Sequence, residues 1–227
     1  MPRLPLLCLL IAAPVAFATA ATRPVVVELF TSESCSSCPP ADAILVDLAR
    51  HDPSVLPLGF HVDYWNYLNW HDPYSSHAAT TRQRAYAAAL GSEVYTPQLV
   101  VDGRHQAVGS DRSAVLAAIQ TARAAVTEGP PVTLAASGDH VTIHVGPGFG
   151  MGQVLLVGFD SAHTTAIGGG ENTGRTLDEA NIVRGFQQVG QWRGTALDVT
   201  AARPVGEHLA MILQTDDGHI LAAQLAP

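Results

Sequence analysis

The sequence predicts an α/β unit over residues 24–128, followed by a small all-β unit, sandwich or barrel-like, over residues 131–227. Three observations predict it. In the first half, short runs rich in β-branched residues alternate with segments whose apolar residues recur at helical spacing. Pro130-Pro131 breaks that pattern. Beyond it, short strand-like segments follow one another around turn signals such as Gly138-Asp139 and Asp217-Gly218.

Length and composition narrow the possibilities further. A chain of 227 residues holds one large domain or two small ones, and 47% apolar with 14% charged residues suits a soluble globular protein. The net charge of −8 argues against a nucleic-acid or anionic-membrane surface. The chain contains no lysine, which excludes Schiff-base chemistry and a Walker-type phosphate loop.

The N-terminus reads as a secretory signal over residues 1–20. Arg3 forms a short basic region, Leu4 to Phe17 is apolar, and Ala18-Thr19-Ala20 fits an A-x-A cleavage site. The apolar run carries Pro5 and Pro14 and falls short of the roughly 20 residues a spanning helix needs. A periplasmic or secreted protein with no stable membrane span after cleavage is therefore expected. Cys8 lies in this segment without the small residues that precede a lipid-attachment cysteine. The mature chain keeps two cysteines, Cys35 and Cys38, in an oxidising compartment.

In chain order, Val25-Val26-Val27 with Leu29 and Phe30 predict a buried strand. The polar turn Thr31 to Ser34 leads to Cys35 and Cys38 at the head of a helix carrying Ile44, Leu45 and Leu48. Asp52-Pro53 marks a turn, and Val55 to Val62 reads as a second strand. Asp63 to Pro73 is dense in aromatics (Tyr64, Trp65, Tyr67, Trp70) beside His61, His71, Asp63 and Asp72. Such a loop either packs its rings over the end of the domain or walls a cleft beside the cysteines, and one loop can do both.

Ser75 or Ser76 caps the next predicted helix, Gly91 ends it, and Arg82 and Arg84 are expected on its solvated face. A strand follows with Thr96-Pro97 near its start, then an Asp102-Gly103 turn and a short return strand through Val108. Proline cannot donate to a ladder, so an edge position is expected. Ser110-Asp111 opens a helix with Val115, Leu116, Ile119, Ala122 and Val126 on one face. In the second half, strands are expected over 132–136, 140–145, 153–159, 197–199, 209–214 and 220–224. Gly168 to Gly174 has the wrong spacing for a nucleotide fingerprint and reads as a tight loop pinned by Asn172. His140, His144, His163, His208 and His219 show no paired ligand spacing and are expected at the surface.

The chemistry concentrates at the two cysteines. At a helix N-terminus, free N–H groups and the positive end of the dipole favour negative charge, by about 0.3–1 kcal/mol and up to about 2 when partly buried. That is enough to ionise much of a thiol at neutral pH, and the thiolate attacks disulfides and binds metals. Cys35 is expected to be the exposed attacking thiol at the first helical position. Cys38, a turn in, would resolve the mixed disulfide. Ser36 and Ser37 offer hydroxyls but no positive charge, which implies a moderate potential.

From Pro24 to Glu128, the order strand, Cys35-Ser36-Ser37-Cys38, helix, strand, helix, Thr96-Pro97, hairpin, helix resembles the thioredoxin superfamily. That resemblance implies a cis Pro97. It also implies that Pro97 and the Thr96 backbone hold an incoming peptide as an added strand, its sulfur in line with Cys35. Glu28 is then a candidate for the buried acid that takes the proton of the resolving thiol, or else a solvent-facing strand residue. ELFTSESCSSCPPAD, HVDYWNYLNWHDP, YTPQLVVDG and GENTGRTL are similar to a secreted bacterial family catalogued as domain of unknown function 1223.

Three functions fit these residues. The first is a thiol–disulfide oxidoreductase with a Cys35/Cys38 pair, acting on protein thiols and served by a recycling redox partner, without a cofactor. The second is a copper metallochaperone that binds Cu(I) through Cys35, Cys38 and His61 or His71. The third is a non-catalytic binding module whose cysteines form a structural disulfide.

Overall fold

A computed structural model of the chain describes residues 23–126 and 129–226. The expected signal segment, with Cys8, lies outside the described residues, as does Glu128 at the predicted end of the first unit.

Strand β1 (Val25–Thr31) is buried at every position. It pairs in parallel with β2 (Val55–His61) and antiparallel with β3 (Gln98–Val101), which turns back into β4 (His105–Val108). Helix α1 (Pro39–His51) joins β1 to β2, α2 (His77–Leu90) joins β2 to β3, and α3 (Arg112–Ala125) follows β4. A near-continuous apolar strand such as β1 needs cover on both faces. Val25, Val27 and Leu29 pack with Ile44 and Leu45 of α1 and Val115 and Ile119 of α3. Val26 and Phe30 pack with Ala79 and Tyr86 of α2. Each of these Val, Leu, Ile and Phe side chains is worth about 1.5–3 kcal/mol of burial.

The helix termini follow the sequence signals. Ser76 caps α2 by accepting from the Ala79 N–H, and Gly91 ends it at φ 62°. Asp111 caps α3 through the Ala114 N–H. Helix α1 starts later than expected, at Pro39, with Cys38 as its N-cap. Pro39 and Pro40 occupy first-turn positions where a missing N–H costs nothing.

Every described element after α3 is a strand. These are β5 (Val132–Ser137), β6 (His140–Val145), β7 (Gly152–Ala166), β8 (Thr176–Trp192), β9 (Leu197–Ala202), β10 (His208–Gln214) and β11 (Ile220–Leu225). Four of them, β7, β8, β10 and β11, do not form a sheet of their own. One eight-stranded sheet runs β11-β10-β7-β8-β2-β1-β3-β4, with β8 bridged in parallel to β2 at Gly59 and Ile182. The break at Pro130-Pro131 separates helical from all-strand sequence, but hydrogen bonding crosses between the halves. The physical reason lies at β2, whose outer edge would otherwise be unpaired.

A sandwich does form on part of this sheet. The three-stranded antiparallel sheet β5-β6-β9 packs Leu134, Val141 and Ile143 against Val154, Leu156, Met211 and a fully buried Trp192. The sequence reading missed β8 and truncated β7. Both carry irregularities, with register shifts at Val154/Leu155 and Gly158/Phe159 and a positive φ at Asn181, so their alternation is broken.

Two further expectations are corrected. Pro97 does not sit on an edge strand: it precedes β3, which lies between β1 and β4, and so it escapes the ladder by standing outside it. Arg84 is exposed as expected, but Arg82 is buried, because α2 turns that face onto the sheet where Glu28 awaits it.

Candidate functional site

Cys35 and Cys38 form a disulfide with their Cα atoms 5.4 Å apart. Cys35 precedes the helix rather than starting it, in a turn held by its N–H on the Ser32 carbonyl and its own carbonyl on the Cys38 N–H. Neither cysteine is exposed as expected for an attacking thiol. Cys35 is 1% accessible and Cys38 is fully buried, while Ser36 and Ser37 between them face solvent.

Several groups crowd the Cys35 sulfur. The Ser37 hydroxyl lies 3.3 Å from it, and the Thr96 hydroxyl donates to it at 3.3 Å. The Thr96–Pro97 peptide bond is cis. The Trp65 indole donates to the Thr96 hydroxyl at 2.9 Å, so one ring of the aromatic loop reaches the site. Its neighbour Tyr67 stacks on Trp65 and is 74% exposed. Gly109 donates to the Pro97 carbonyl. A side chain there would meet Leu29 Cδ1 at 2.8 Å, Ala41 Cβ at 3.0 Å and Pro97 Cβ at 3.3 Å, so glycine allows β4 to close against α1 and the Thr-Pro turn.

The loop between β7 and β8 also reaches the cysteine turn. Asn172 is buried and its amide donates to the carbonyls of both Glu33 and Cys35, at 2.9 Å each. Arg175 donates to the Asn172 side-chain oxygen and fixes the amide's orientation. The Glu171 carboxylate accepts from the Ser36 N–H and hydroxyl, and the Glu171 N–H donates to the Ser34 carbonyl. These two hydrogen bonds hold the Glu171 carboxyl below its usual range. Gly170, at φ 70°, lies so near Ser34 that a Cβ would stand 2.8 Å from its hydroxyl. The tight loop pinned by Asn172 is thus present, and what pins it is the cysteine turn.

Around this turn lies a buried polar cluster of Glu33, Asp42, His61, Asp72 and Glu179. His61 Nδ1 is 2.8 Å from Asp72, and its Nε2 is 3.6 Å from Glu179. Asp72 also accepts from the Glu33 N–H, and Trp70 donates to the Glu33 carboxylate. Asp42, one helical turn after Cys38, accepts from the Thr31 hydroxyl at 2.8 Å. Burial opposes a charge on His61, but Asp72 and Glu179 outweigh it and push its pKa up to about 10. Burial raises Glu179 and Asp42 above the carboxylate range, against the pull of His61 and of the Thr31 hydroxyl respectively. Burial also opposes ionisation of Asp72, but the His61 charge and hydrogen bond win and keep it low. Both Glu179 oxygens and Glu33 Oε1 lack a hydrogen-bond partner.

Other expected site residues are placed differently. Glu28 points to the α2 face of β1, as strand alternation requires, and binds Arg82 through two guanidinium nitrogens and the Tyr86 hydroxyl at 2.6 Å. Tyr86 belongs to the core on α2's side, whereas α1 packs on the other face. Glu28 is therefore neither a solvent-facing residue nor a free acid beside Cys38. Both ring nitrogens of His61 face carboxylates, and His71 is exposed. Among the described residues no three His, Cys, Asp or Glu side chains group as metal ligands would. Of the second-half histidines, His140, His144 and His208 are exposed, and His163 and His219 are half-buried.

Sequence reasoning missed Asn172 as a site residue, together with Glu171, Asp42 and Glu179. Asp42 left a signal in its i+4 spacing from Cys38, and Glu171 and Asn172 left one in the Gly168–Gly174 loop, whose contact with the cysteine turn is made only by the tertiary fold.

The model of a family described as Protein of unknown function (DUF1223) matches residues 26–214. The crystal structure of protein AGR_C_4864 from Agrobacterium tumefaciens is 33% identical and superposes with a TM-score of 0.76, covering 91% of this chain and 95% of that one. HBP35 of Porphyromonas gingivalis is 14% identical, with a TM-score of 0.60, covering 91% of this chain and 75% of that one, a likeness of fold. No curated protein matches the chain.

Proposed function

The chain belongs to the family described as Protein of unknown function (DUF1223), and from that premise, which carries no activity, we propose that it is an exported thioredoxin-like thiol–disulfide oxidoreductase acting on protein thiols. The observation that carries this reading is the Thr96 hydroxyl 3.3 Å from Cys35 Sγ, in a turn that leads into a strand beside β1. The order β2-β1-β3-β4, with α1 and α3 packed on one face and α2 on the other, supports the thioredoxin-like part.

In the proposed reaction a partner thiolate attacks Cys35 Sγ, forming a mixed disulfide and releasing Cys38 as a thiolate. A second thiolate of the partner then attacks the partner's own sulfur in that bond and expels the Cys35 thiolate. Two electrons pass to the pair, the partner gains a disulfide, and the partner's two protons pass to solvent or to the new thiolates. The Thr96 and Ser37 hydroxyls are placed to hydrogen-bond the Cys35 thiolate. A separate redox partner returns the pair to the disulfide.

A second reading, a binding module with a structural disulfide, is favoured by the burial of both sulfurs. Equilibration of the mature protein with a glutathione or dithiothreitol couple separates the two. The oxidoreductase reading expects a Cys35–Cys38 potential well above about −300 mV and accumulation of a mixed disulfide in Cys38→Ser. A potential below about −300 mV, where structural disulfides lie, supports the second.

A further inference from the structure

We propose that the β7–β8 loop is a latch: Asn172 and Glu171 hold the turn from Glu33 to Ser36 shut over the disulfide, and thiol exchange at Cys35 requires their release. The biological use of the latch rests on the oxidoreductase reading, but its physical action on the disulfide does not.

The latch has two parts of different strength. Asn172 is buried, its two amide hydrogens are both used on turn carbonyls, and Arg175 holds its oxygen, so its loss takes the side-chain donor from the Glu33 carbonyl and leaves the Cys35 carbonyl with the Cys38 N–H alone. One of those carbonyls belongs to Cys35 itself. Glu171 is exposed and grips the next residue of the turn through the Ser36 N–H and hydroxyl. The exposed bond strengthens nothing in the core, and water competes for it. The loop therefore has an outer contact that opens easily and an inner one that opens at a cost.

Glu171 also bears on the reduced state. Its carboxylate occupies N–H and O–H donors in the turn just before α1, beside the sulfur that becomes a thiolate on reduction. Two negative charges would then be held by consecutive residues of one turn, Glu171 on Ser36 and the thiolate on the Ser37 and Thr96 hydroxyls, and their repulsion favours departure of Glu171. Reduction and loop release are thus coupled, and an incoming partner segment displaces the loop rather than binding on top of it.

The two sides of the loop differ in packing. Gly168, Gly169 and Gly170, which lead into Glu171, lie close against Trp70, Asn69 and Ser34, and the Gly170 N–H donates to the Leu68 carbonyl, whereas Gly174, at φ 81°, has no atom within 4 Å of its would-be side chain. The loop's ends continue into the β7–β8 ribbon, where Ala166 pairs with Thr176 and Thr165 with Leu177. Release of the Glu171 and Asn172 side chains from the turn therefore leaves that ribbon paired.

The test is the second-order rate of reduction of the full mature protein by dithiothreitol, which loses two hydrogens to become a cyclic disulfide while Cys35 and Cys38 become thiols. Asn172→Asp keeps the shape but replaces both donors with acceptors facing two carbonyls, and Glu171→Gln removes the outer charge. Each is compared with Thr173→Ala, whose hydroxyl bonds only within the loop, to Gly170. The latch predicts an acceleration of at least about tenfold for Asn172→Asp, the scale of one charge-free hydrogen-bond pair, and a smaller one for Glu171→Gln. Thr173→Ala should match the parent. Because Glu171 is exposed, its variant stays informative if Asn172→Asp fails to fold. Parental rates in Glu171→Gln and in any folded Asn172→Asp overturn the latch. The variant-to-parent rate ratio judges the latch, whereas the absolute potential of the parent judges the oxidoreductase reading, so the two can fail separately.

Discussion

The Thr96 hydroxyl is shared between two partners: it accepts from the Trp65 indole at 2.9 Å and donates to Cys35 Sγ at 3.3 Å. The indole fixes the oxygen, which leaves the hydroxyl proton free to point at the sulfur. Thr96→Val keeps the shape and removes this donor. A hydrogen bond to a charged acceptor is worth about 1.5–3 kcal/mol, or roughly one to two decades in thiolate population. Alkylation of reduced Cys35 at neutral pH is therefore expected to slow by about tenfold or more. An unchanged rate removes Thr96 from the chemistry.

Glu28 tests whether the acid on β1 serves structure or reaction. Its carboxylate neutralises Arg82, which is also stacked over Phe186 at 4.7 Å and Tyr86 at 4.9 Å. Glu28→Gln strands a buried guanidinium, a loss on the order of 3–5 kcal/mol for a broken buried pair. Urea unfolding should show that loss while the dithiothreitol exchange rate of the folded protein stays at the parental value. A large change in exchange with little change in stability would reverse the assignment.

The buried cluster sets a pH dependence. Because the folded pKa of His61 is raised from 6.5 to about 10, its stabilisation is complete below about pH 6.5 and is lost as pH rises through about 10. Glu179 and Asp42 are also raised, so they too favour the fold when protonated and weaken it as pH rises out of the carboxylate range. Asp72 is lowered and acts in the opposite sense, its contribution vanishing only as pH falls below the ordinary aspartate value. The melting temperature should therefore drop between pH 6.5 and 10. About 1 kcal/mol corresponds to roughly 2–4 °C in a chain of this size. Glu179→Gln removes one carboxylate beside His61 and should flatten the slope, and identical slopes in parent and variant would refute the coupling.

Gly109 tests the closeness of β4 to the Thr-Pro turn. Gly109→Ala forces a methyl toward Leu29, Ala41 and Pro97. The expected cost is about 1–3 kcal/mol of overpacking. Displacement of the Thr96 hydroxyl from Cys35 should accompany it, visible as slowed alkylation of the reduced protein. Wild-type stability and reactivity together would show that the neighbours yield freely.

Much of the fold could be read locally. Ser76 and Gly91 mark α2 because capping is decided by neighbours within four residues, and Val25 to Phe30 declares a strand covered on both faces. Arg82 shows where such reading stops. Helical spacing placed it opposite the apolar stripe, but its burial depends on Glu28, 54 residues away, and on Gln214, 132 residues away. The β8 strand stayed hidden because Asn181 at positive φ and the shifts in its ladder with β7 break the period-2 pattern.

The sequence by itself determined the order of elements from β1 to α3, the cysteine pair next to a helix start and the Thr-Pro turn ahead of a hairpin, because each is encoded in residues that are close along the chain. Only the tertiary structure decided that the disulfide is enclosed, that Glu28 belongs to Arg82, and that Asn172 is tied to a turn 137 residues away. Local periodicity reports which face of an element is apolar but not which distant element will cover it. Hydrogen bonds between parts far apart in sequence leave no such trace, since any polar residue of the right reach could have made them.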